Sequence, residues 1–445
     1  MIPRRVLLGA AAVLALAIGG PPASASSQRA IAAGGEHSCM LESGAVECWG
    51  ANDSGQLGDG TQTMRLAPVP VAGLPGGVEA LTAGRFHTCA LLTDGAVSCW
   101  GDNRFGQLGD GTGVDRSRPT PVVGLGGRAT AIAAGSYHTC ALLTDGSVEC
   151  WGDNTTAQLA DAYLDESRVP QPVEGLPARA TAIASGTDHT CALVETGAVD
   201  CWGWNLFGQL GYGDAFTVRI LPVPVSGLGG ALGVDGGFAH TCAVTADGGV
   251  ECWGLNASGQ VGDGTTKDRA LPAQVFGAPH GVTAITSGYF YNCALAGGSV
   301  SCWGRNAADE IGDGKMVDRK TPVVVKGLDS VASMSAGGYH TCALVSPSGF
   351  RCWGSNHYGQ LGNGRKTNEL EMNTRGQGSI DAFGVRCRVQ CWAERPPGAK
   401  ITMLALPAKG WRLASWTGPC KSKKARCVFR LAKDGLVVAH FARRK

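Results

Sequence analysis

Histidine and cysteine recur in this sequence at spacings that could support metal or redox chemistry. The chain of 445 residues contains nine histidines and 18 cysteines. One histidine precedes a cysteine by two positions in each of six repeated units, at His37, His87, His138, His189, His240 and His340, with Tyr291 in that place in a seventh unit. A ring of six histidines suggests a metal site. Because each histidine recurs as part of a repeated motif, we favour a hydrogen-bonding role and predict no metal site and no cofactor.

Aspartates in Gly-Asp-Gly turns suggest calcium. These aspartates are Asp59, Asp110, Asp263 and Asp313. Each turn supplies one carboxylate, whereas calcium takes six to eight oxygen ligands. Turn formation therefore explains these aspartates better.

The N-terminal segment predicts export. Arg4 and Arg5 precede an apolar run from Val6 to Ile18, and Ala23-Ser24-Ala25 follows. This pattern is typical of a signal peptide over residues 1–25, and no later stretch approaches the ~20 apolar residues of a membrane helix. We expect a secreted, periplasmic or cell-surface protein without a transmembrane segment after cleavage. Outside the cytosol, 18 cysteines are most simply nine disulfides.

The cysteines belong to a repeat with a period of 50 or 51 residues, marked by Cys-Trp-Gly. Each unit offers four short strand candidates bounded by Gly, Asp and Asn. Where the cysteines are ten apart, a three-residue loop such as Thr93-Asp94-Gly95 makes them direct cross-strand partners; where they are nine apart, a two-residue loop such as Ser43-Gly44 does the same. The predicted pairs are Cys39 with Cys48, Cys89 with Cys99, Cys140 with Cys150, Cys191 with Cys201, Cys242 with Cys252, Cys293 with Cys302, and Cys342 with Cys352.

A single four-stranded unit cannot bury both of its faces, so its neighbours must cover it. The units, of the form H-T-C-A-L…D-G-x-V…W-G-x-N-x-x-G-Q-L-G, resemble the regulator-of-chromosome-condensation repeat family. The resemblance implies a seven-bladed β-propeller over residues 28–377. The paired cysteines depart from the nuclear members and fit an exported bacterial variant. Altered turns are expected at Ala157 to Asp161 and at Asp309 to Gly312. Closure of the ring stays open, because the seventh unit offers only Glu369 to Asn373 as a poor fourth strand.

Residues 378–445 follow a different pattern and form a second predicted domain. They resemble the divergent internalin-type B-repeat, a small β domain of bacterial surface and secreted proteins. The matching features include the strand start Pro397-Gly-Ala-Lys-Ile-Thr402 and the corner Trp416-Thr-Gly-Pro-Cys420. We pair Cys387 with Cys391 and Cys420 with Cys427, one of three possible pairings. The predicted fold is all-β, a propeller followed by a small disulfide-containing β domain.

Charge separates the two predicted domains. Residues 378–445 contain 15 Lys or Arg and 3 Asp or Glu, a net charge of +12. Subtracting this and the two leader arginines from the overall +2 leaves −12 for residues 26–377. The basic domain could bind an anionic envelope polymer. The alternatives are a solvated face or docking on the acidic ring. No nucleic-acid partner is expected.

Two connections of every unit, G-x-x-H and N-x-x-G, emerge on one face of the propeller, and that face carries the variable residues. The aromatic residues there resemble a protein-binding surface. The predicted partner-binding residues are Phe86, Phe105, Tyr137, Trp204, Phe207, Phe238, Tyr289, Phe290, Tyr339 and Tyr358. The alternative is that several of these rings fold inward and plug the axis.

No nucleophile elbow, phosphate loop or carboxylate pair stands outside the repeat, so we predict a non-enzyme with no catalytic residues. The expected function is an exported binding scaffold that engages an unidentified protein or envelope glycan through the aromatic face. Two alternatives come from the resemblance. A secreted propeller similar to this family inhibits β-lactamases with aromatic loops, and the nuclear members exchange guanine nucleotides.

Overall fold

The computed structural model describes residues 29–347, 349–382, 385–420 and 422–443. The predicted signal peptide, residues 1–25, lies outside these ranges. The regular elements of the described ranges are 35 β-strands, which confirms the all-β fold class. Within the same ranges, no helix is long and apolar enough to cross a bilayer.

Seven repeated sheets, numbered blades 1 to 7 in chain order, form the larger part of the structure. Their first strands are Arg29–Ala33, Val78–Ala83, Ala129–Ala134, Ala180–Ser185, Ala231–Gly236, Val282–Ser287 and Val331–Ala336. The second strands are His37–Glu42, His87–Leu92, His138–Leu143, His189–Val194, His240–Thr245, Tyr291–Ala296 and His340–Val345. The third strands are Ala45–Gly50, Val97–Gly101, Val148–Asp153, Val199–Asn205, Val250–Gly254, Ser299–Gly304 and Phe350–Gly354. Fourth strands complete blades 1 to 6, at Arg65–Pro70, Arg116–Pro121, Glu166–Pro172, Thr217–Pro224, Arg269–Gln274 and Arg319–Val324.

The second and third strands of each blade form a hairpin that a disulfide joins. In blade 2, Cys89 faces Cys99 directly across the hairpin, and their Cα atoms are 4.1 Å apart. The turn of this hairpin contains Gly95 in the left-handed region, with φ of 83°. All seven blades have the disulfide that the loop length predicts.

The Trp-Gly that follows each hairpin packs one blade against the preceding one. Trp100 of blade 2 is fully buried against the Cys39–Cys48 disulfide of blade 1. Its Nε1 donates to the carbonyl oxygen of Gln56, also in blade 1, at 2.9 Å. The same bond closes the ring, since Trp49 of blade 1 donates to Gln360 O of blade 7 at 2.8 Å. The sequence left this closure open. Among the described residues, the ring closes through this side-chain hydrogen bond, and no strand of blade 1 pairs with blade 7.

The C-terminal residues form two further four-stranded sheets packed on a common core. Their strands are Asn368–Arg375, Gly378–Ala382, Val385–Cys387, Gln390–Arg395, Ala399–Pro407, Trp411–Thr417, Arg426–Leu431 and Gly435–Arg443. Disulfides join Cys387 to Cys391 and Cys420 to Cys427. We call this part the C-terminal module. The predicted division of the chain into residues 28–377 and 378–445 stays a prediction.

Blade 7 has three strands in the part of the chain that the structure describes. The strand Asn368–Arg375 pairs with Gln390–Arg395 and Gly435–Arg443 of the C-terminal module. It is therefore not the substitute fourth strand of blade 7 that the sequence suggested around Glu369 to Asn373. Its side-chain pattern explains the difference, because Leu370 and Met372 are buried in the core of the C-terminal module.

Glu394 of the C-terminal module accepts a backbone hydrogen bond that, in other blades, an aspartate of the blade itself accepts. In blade 2, Asp115 just before the fourth strand accepts a hydrogen bond from Asn103 N at 2.8 Å. Blades 5 and 6 repeat this bond with Asp268 and Asp318. In blade 7, Asn356 N donates at 2.8 Å to Glu394 instead. The C-terminal module therefore completes the carboxylate contact of the last blade.

Candidate functional site

The G-x-x-H and N-x-x-G connections meet on one face of the ring, here called the loop face. The contact is direct between neighbouring blades. Phe105, in the N-x-x-G connection of blade 2, lies 5.3 Å between ring centroids from Tyr137, in the G-x-x-H connection of blade 3. Trp204 of blade 4 and Phe238 of blade 5 are 6.0 Å apart in the same way.

Side-chain hydrogen bonds fix the backbone of the loop face. In blade 2, the buried Asn103 accepts a bond from Leu108 N through Oδ1 and donates through Nδ2 to Asp110 and to two backbone carbonyls. The Oε1 atom of the buried Gln107 accepts from Phe105 N at 3.0 Å. None of these bonds uses the side chain of Arg104 or Phe105, the two variable residues at the tip of the loop. The residues at these two positions can therefore differ between blades without loss of loop geometry.

All ten predicted partner-binding residues are partly buried, and nine of them form two clusters on the loop face. The first cluster contains Phe86, Phe105 and Tyr137. The second cluster contains Trp204, Phe207, Phe238, Tyr289, Phe290 and Tyr339, with successive centroids 5.1 to 6.5 Å apart. The tenth residue, Tyr358, packs edge-on against His357 at 4.8 Å.

Guanidinium groups lie over three of these rings, including that of Tyr137, whose centroid is 6.0 Å from Arg85. Arg85 lies 4.9 Å from the ring centroid of Phe86, and Arg305 lies 4.6 Å from that of Tyr339. Each cation is attracted to the negative face of the ring and holds it in place. Neither arginine was singled out from the sequence.

Tyr289 faces the axis of the ring. A cavity of about 330 Å³ runs between the first strands of the blades, and Tyr289 and Arg85 lie at its lining. Burial raises the pKa of the Tyr289 hydroxyl above its usual range. Among the described aromatic side chains of the loop face, Tyr289 is the one that folds toward the axis, as the alternative prediction of a plugged axis requires.

A second cavity, the seam cavity, lies between the loop face and the C-terminal module and has a volume of about 580 Å³. Phe290, Tyr339 and Tyr358 contribute rings to its wall. Glu394 contributes from the strand Gln390–Arg395. Three of the predicted partner-binding residues therefore face a concave space.

Burial raises the pKa of several carboxyls near the loop face. Desolvation raises the pKa of Asp188 to about 6, with a further contribution from Asp153. It raises the pKa of Glu310 to about 7, although Arg305 acts in the opposite direction. Desolvation also raises the pKa of Glu36, against the attraction of Arg85. The hydrogen bonds and nearby cations of these three carboxyls do not offset the loss of solvation, so their ionised form is disfavoured relative to a carboxyl in water.

The recurrent histidines form a hydrogen-bond relay between blades. In blade 2, His87 Nε2 lies 2.9 Å from Thr139 Oγ1 of blade 3, and Thr139 donates its own hydrogen to Gln107 O. His87 must therefore donate from Nε2. The relay closes at His340, whose Nε2 lies 2.7 Å from Ser38 Oγ of blade 1. Among the described residues, no group of three or more His, Cys, Asp or Glu side chains could hold a metal ion.

The Gly-Asp-Gly aspartates are fully engaged in their own turns. Asp59 accepts from the backbone and hydroxyl of Thr61 and forms an ion pair with Arg65 at 2.7 Å. Asp110 repeats the arrangement with Thr112 and Arg116. Each such turn binds to the first residue of the fourth strand, so its role is to anchor that strand.

Comparison with known protein families places these observations among repeat proteins. The family model described as an RCC1-like domain matches residues 126–387. A model of the regulator of chromosome condensation (RCC1) repeat matches residues 43–91 and 94–142. Together these matches cover most of the ring.

Curated relatives match part of the chain. The ultraviolet-B receptor UVR8 of Arabidopsis thaliana is 35% identical over 273 residues, which are 60% of this chain and 62% of the relative. The human E3 ubiquitin-protein ligase HERC2 is 34% identical over 254 residues, which are 55% of this chain and 5% of the relative. The chain thus spans less than two thirds of the length of these relatives.

Solved structures share the fold at low identity. Human WBSCR16 aligns with a TM-score of 0.65 and 22% identity, over 72% of this chain and 87% of the other. Prp20p of Saccharomyces cerevisiae, described with its binding to Gsp1p and histones, aligns with a TM-score of 0.63 and 24% identity, over 69% and 80%. These likenesses show the propeller fold.

Proposed function

Because the chain belongs to the RCC1-like family of repeat propellers, we propose that it is a non-enzymatic binding scaffold that engages a protein or glycan partner through its loop face. The two aromatic clusters of the loop face carry this proposal. Aromatic side chains supply large contact area at a low entropic cost of ordering. Here they are already held by each other and by loops with fixed backbones.

The proposal extends to export and to attachment at the cell envelope. Nine disulfides among the described residues support an oxidising compartment. The C-terminal residues 378–445 carry a net charge of +12, and Arg386, Arg388 and Lys424 among them are exposed. These cations would contact an anionic envelope polymer, while Glu394 keeps the module against blade 7.

Two alternatives share the same fold. A protein inhibitor would use the aromatic clusters to occupy the active site of an enzyme such as a β-lactamase. A nucleotide exchange factor would follow the nuclear members of the family. Prp20p, which shares the fold, is described with its binding to Gsp1p and histones. The disulfides favour the first alternative over the second, because they support a location outside the reducing compartment.

Partner capture tests the proposal. Purified protein without residues 1–25 is used as bait on envelope extracts, in parallel with a Phe86→Ala/Phe105→Ala/Tyr137→Ala variant. We expect the variant to lose the captured partner while its thermal unfolding stays cooperative. Identical capture by both proteins and by a Trp204→Ala/Phe207→Ala/Phe238→Ala variant would refute binding through the aromatic face. Direct assay of β-lactamase inhibition decides the first alternative.

A further inference from the structure

The seam cavity departs from the repeat at one fully buried side chain. Blades 1 to 5 and blade 7 have glutamine after the Gly or Ala of the G-Q-L-G turn, whereas blade 6 has Glu310. Glu310 is 0% exposed and lines the cavity. Its Oε2 accepts from Ala308 N at 2.7 Å, as the glutamines do in their blades. A glutamine would make the same hydrogen bond, so the turn does not require a carboxylate at position 310.

Two buried polar atoms at the seam cavity lack hydrogen-bond partners among the described residues. Glu310 Oε1 accepts no hydrogen bond, and the nearest cation, Arg305 Nη1, is 3.6 Å away. His357 Nδ1 has none either, with Asp434 Oδ1 at 3.9 Å. Buried polar atoms are almost always satisfied by protein or by a bound molecule. The Nε2 atoms of Gln56, Gln107, Gln209 and Gln260 lack partners at the same place in blades 1, 2, 4 and 5, so an unpartnered atom there is common to the repeat. What sets Glu310 apart is its carboxylate, which together with His357 Nδ1 offers polar atoms to a ligand in the cavity.

The charges around the cavity select the kind of ligand. Glu36, Glu310 and Glu394 line it together with Arg305. The Arg305 guanidinium would repel a cationic ligand, and the carboxylates would repel an anionic ligand, at close range in a partly desolvated space. A neutral group that both donates and accepts suits both signs, and a hydroxyl group does this.

The wall of the cavity selects a ligand with an apolar face as well. Phe290, Tyr339 and Tyr358 present rings, and Leu255 and Ala307 add aliphatic surface. The volume of about 580 Å³ lies within the ~300–1,000 Å³ range of small-ligand sites, which combine apolar walls with a few polar groups. Sugars combine hydroxyl groups on their edges with a C–H face that stacks on aromatic rings.

We propose that the seam cavity binds a short neutral oligosaccharide, with Glu310 and Arg305 holding its hydroxyl groups and Phe290 and Tyr339 packing on its sugar rings. This inference deepens the proposed function, on which it rests, by assigning the glycan to one site. The C-terminal module takes part in this site through Glu394 and Ala393.

Isothermal titration with three neutral trisaccharides, triacetylchitotriose, cellotriose and maltotriose, tests the proposal on the protein without residues 1–25. We expect at least one to bind, and Glu310→Gln and Tyr339→Ala each to weaken it about tenfold or more. Glu310→Gln restores the residue of the other blades, so it is expected to fold. The cationic analogue chitotriose and the anionic trigalacturonate are expected not to bind.

Three outcomes would overturn the proposal: no binding of any neutral trisaccharide at 10 mM, equal affinity of wild type and folded Glu310→Gln, or tighter binding of a charged analogue. The Phe86→Ala/Phe105→Ala/Tyr137→Ala variant separates this failure from that of the proposed function, because its changes lie outside the cavity. Loss of partner capture in that variant without trisaccharide binding to the wild type would remove the seam site alone. Trisaccharide binding with unchanged capture by the aromatic variants would remove the aromatic-face proposal alone.

Discussion

Acidification is expected to weaken the ring through its histidine relay. Burial lowers the pKa of His37, His138, His189 and His340 to about 3, and that of His87 and His240 to about 4. The ordinary value is about 6.5. Since the folded pKa values are depressed, the unfolded chain binds more protons from pH 6.5 down to about 4 for His87 and His240 and down to about 3 for the other four histidines. The stability contributed by the neutral histidines is present above pH 6.5 and is lost as the pH falls through this window.

The magnitude follows from the difference in pKa. At pH 5 each unfolded histidine is protonated and its folded counterpart is not, which costs about 2 kcal/mol per histidine relative to neutral pH. Three buried carboxyls act in the opposite direction, because burial raises the pKa of Asp188 to about 6 and of Asp235 and Glu310 to about 7. These carboxyls are protonated in the folded protein at pH 5. For these six histidines and three carboxyls the net uptake on unfolding is about three protons, a slope of about 4 kcal/mol per pH unit. The raised pKa values of Glu36, Asp200 and Asp309 reduce this slope.

Guanidinium unfolding of the disulfide-intact protein at several pH values between 7 and 4.5 measures this slope. A His189→Tyr variant provides the comparison, because Tyr291 occupies the same position in blade 6 and its hydroxyl bonds to Thr341 there. The variant should take up one proton fewer at pH 5. Equal slopes for both proteins would refute the reasoning, and so would imidazole NMR signals of the relay titrating near pH 6.5 in the folded wild type.

Three further predictions concern single side chains. Glu394→Ala should release Asn356 N and speed its amide hydrogen exchange, with a loss of about 2 kcal/mol in the free energy of unfolding, whereas Glu394→Gln should cost less. Glu310→Gln should be more stable than wild type by up to about 3 kcal/mol at pH 8 in denaturant unfolding, and the difference should vanish near pH 4.5, because the raised pKa makes ionisation of Glu310 costly only above that pH. Ala160→Gly should raise the free energy of unfolding by about 1 kcal/mol, since Ala160 has φ of 61°; an unchanged or lower value would contradict strain at this turn.

The hairpins and their disulfides were predictable because residues close together in the sequence determine them. Loop length fixes the register, and the register fixes which cysteines meet, as Cys39 with Cys48 and Cys89 with Cys99 show. The turns expected to be altered, at Ala157 to Asp161 and at Asp309 to Gly312, keep the backbone conformation of the other blades. The first of them is altered in its hydrogen bonds, because Asn154 Nδ2 donates to the carbonyl oxygens of Asp161 and Leu164 and not to an aspartate side chain. Ala157 and Ala160 keep the left-handed backbone of the glycines they replace, with φ of 62° and 61°. Packing by the neighbouring blades holds this conformation against the local preference.

The seam cavity was not predictable, because it depends on contacts between distant residues. Glu394 lies 38 positions from Asn356, and a pattern within one repeat cannot reveal that it replaces the aspartate of another blade. Glu310 did carry a signal, since it departs from the glutamine of the other units. That departure predicted an altered turn rather than a site, because nothing in the sequence places Arg305 and Tyr339 beside it.

Repetition itself helps to distinguish residues that serve the fold from residues that serve recognition. A side chain needed for packing recurs in every blade, as do the buried tryptophans that bond to the preceding blade. Glu310 departs from the pattern at a position where the glutamines already supply the necessary bond, and it carries the cost of a buried carboxylate. Glu394 reaches the same cavity from the C-terminal module. Since neither the turn nor the blade requires a charge at Glu310, a ligand hydroxyl that donates a hydrogen bond to Glu310 Oε1 accounts for that cost.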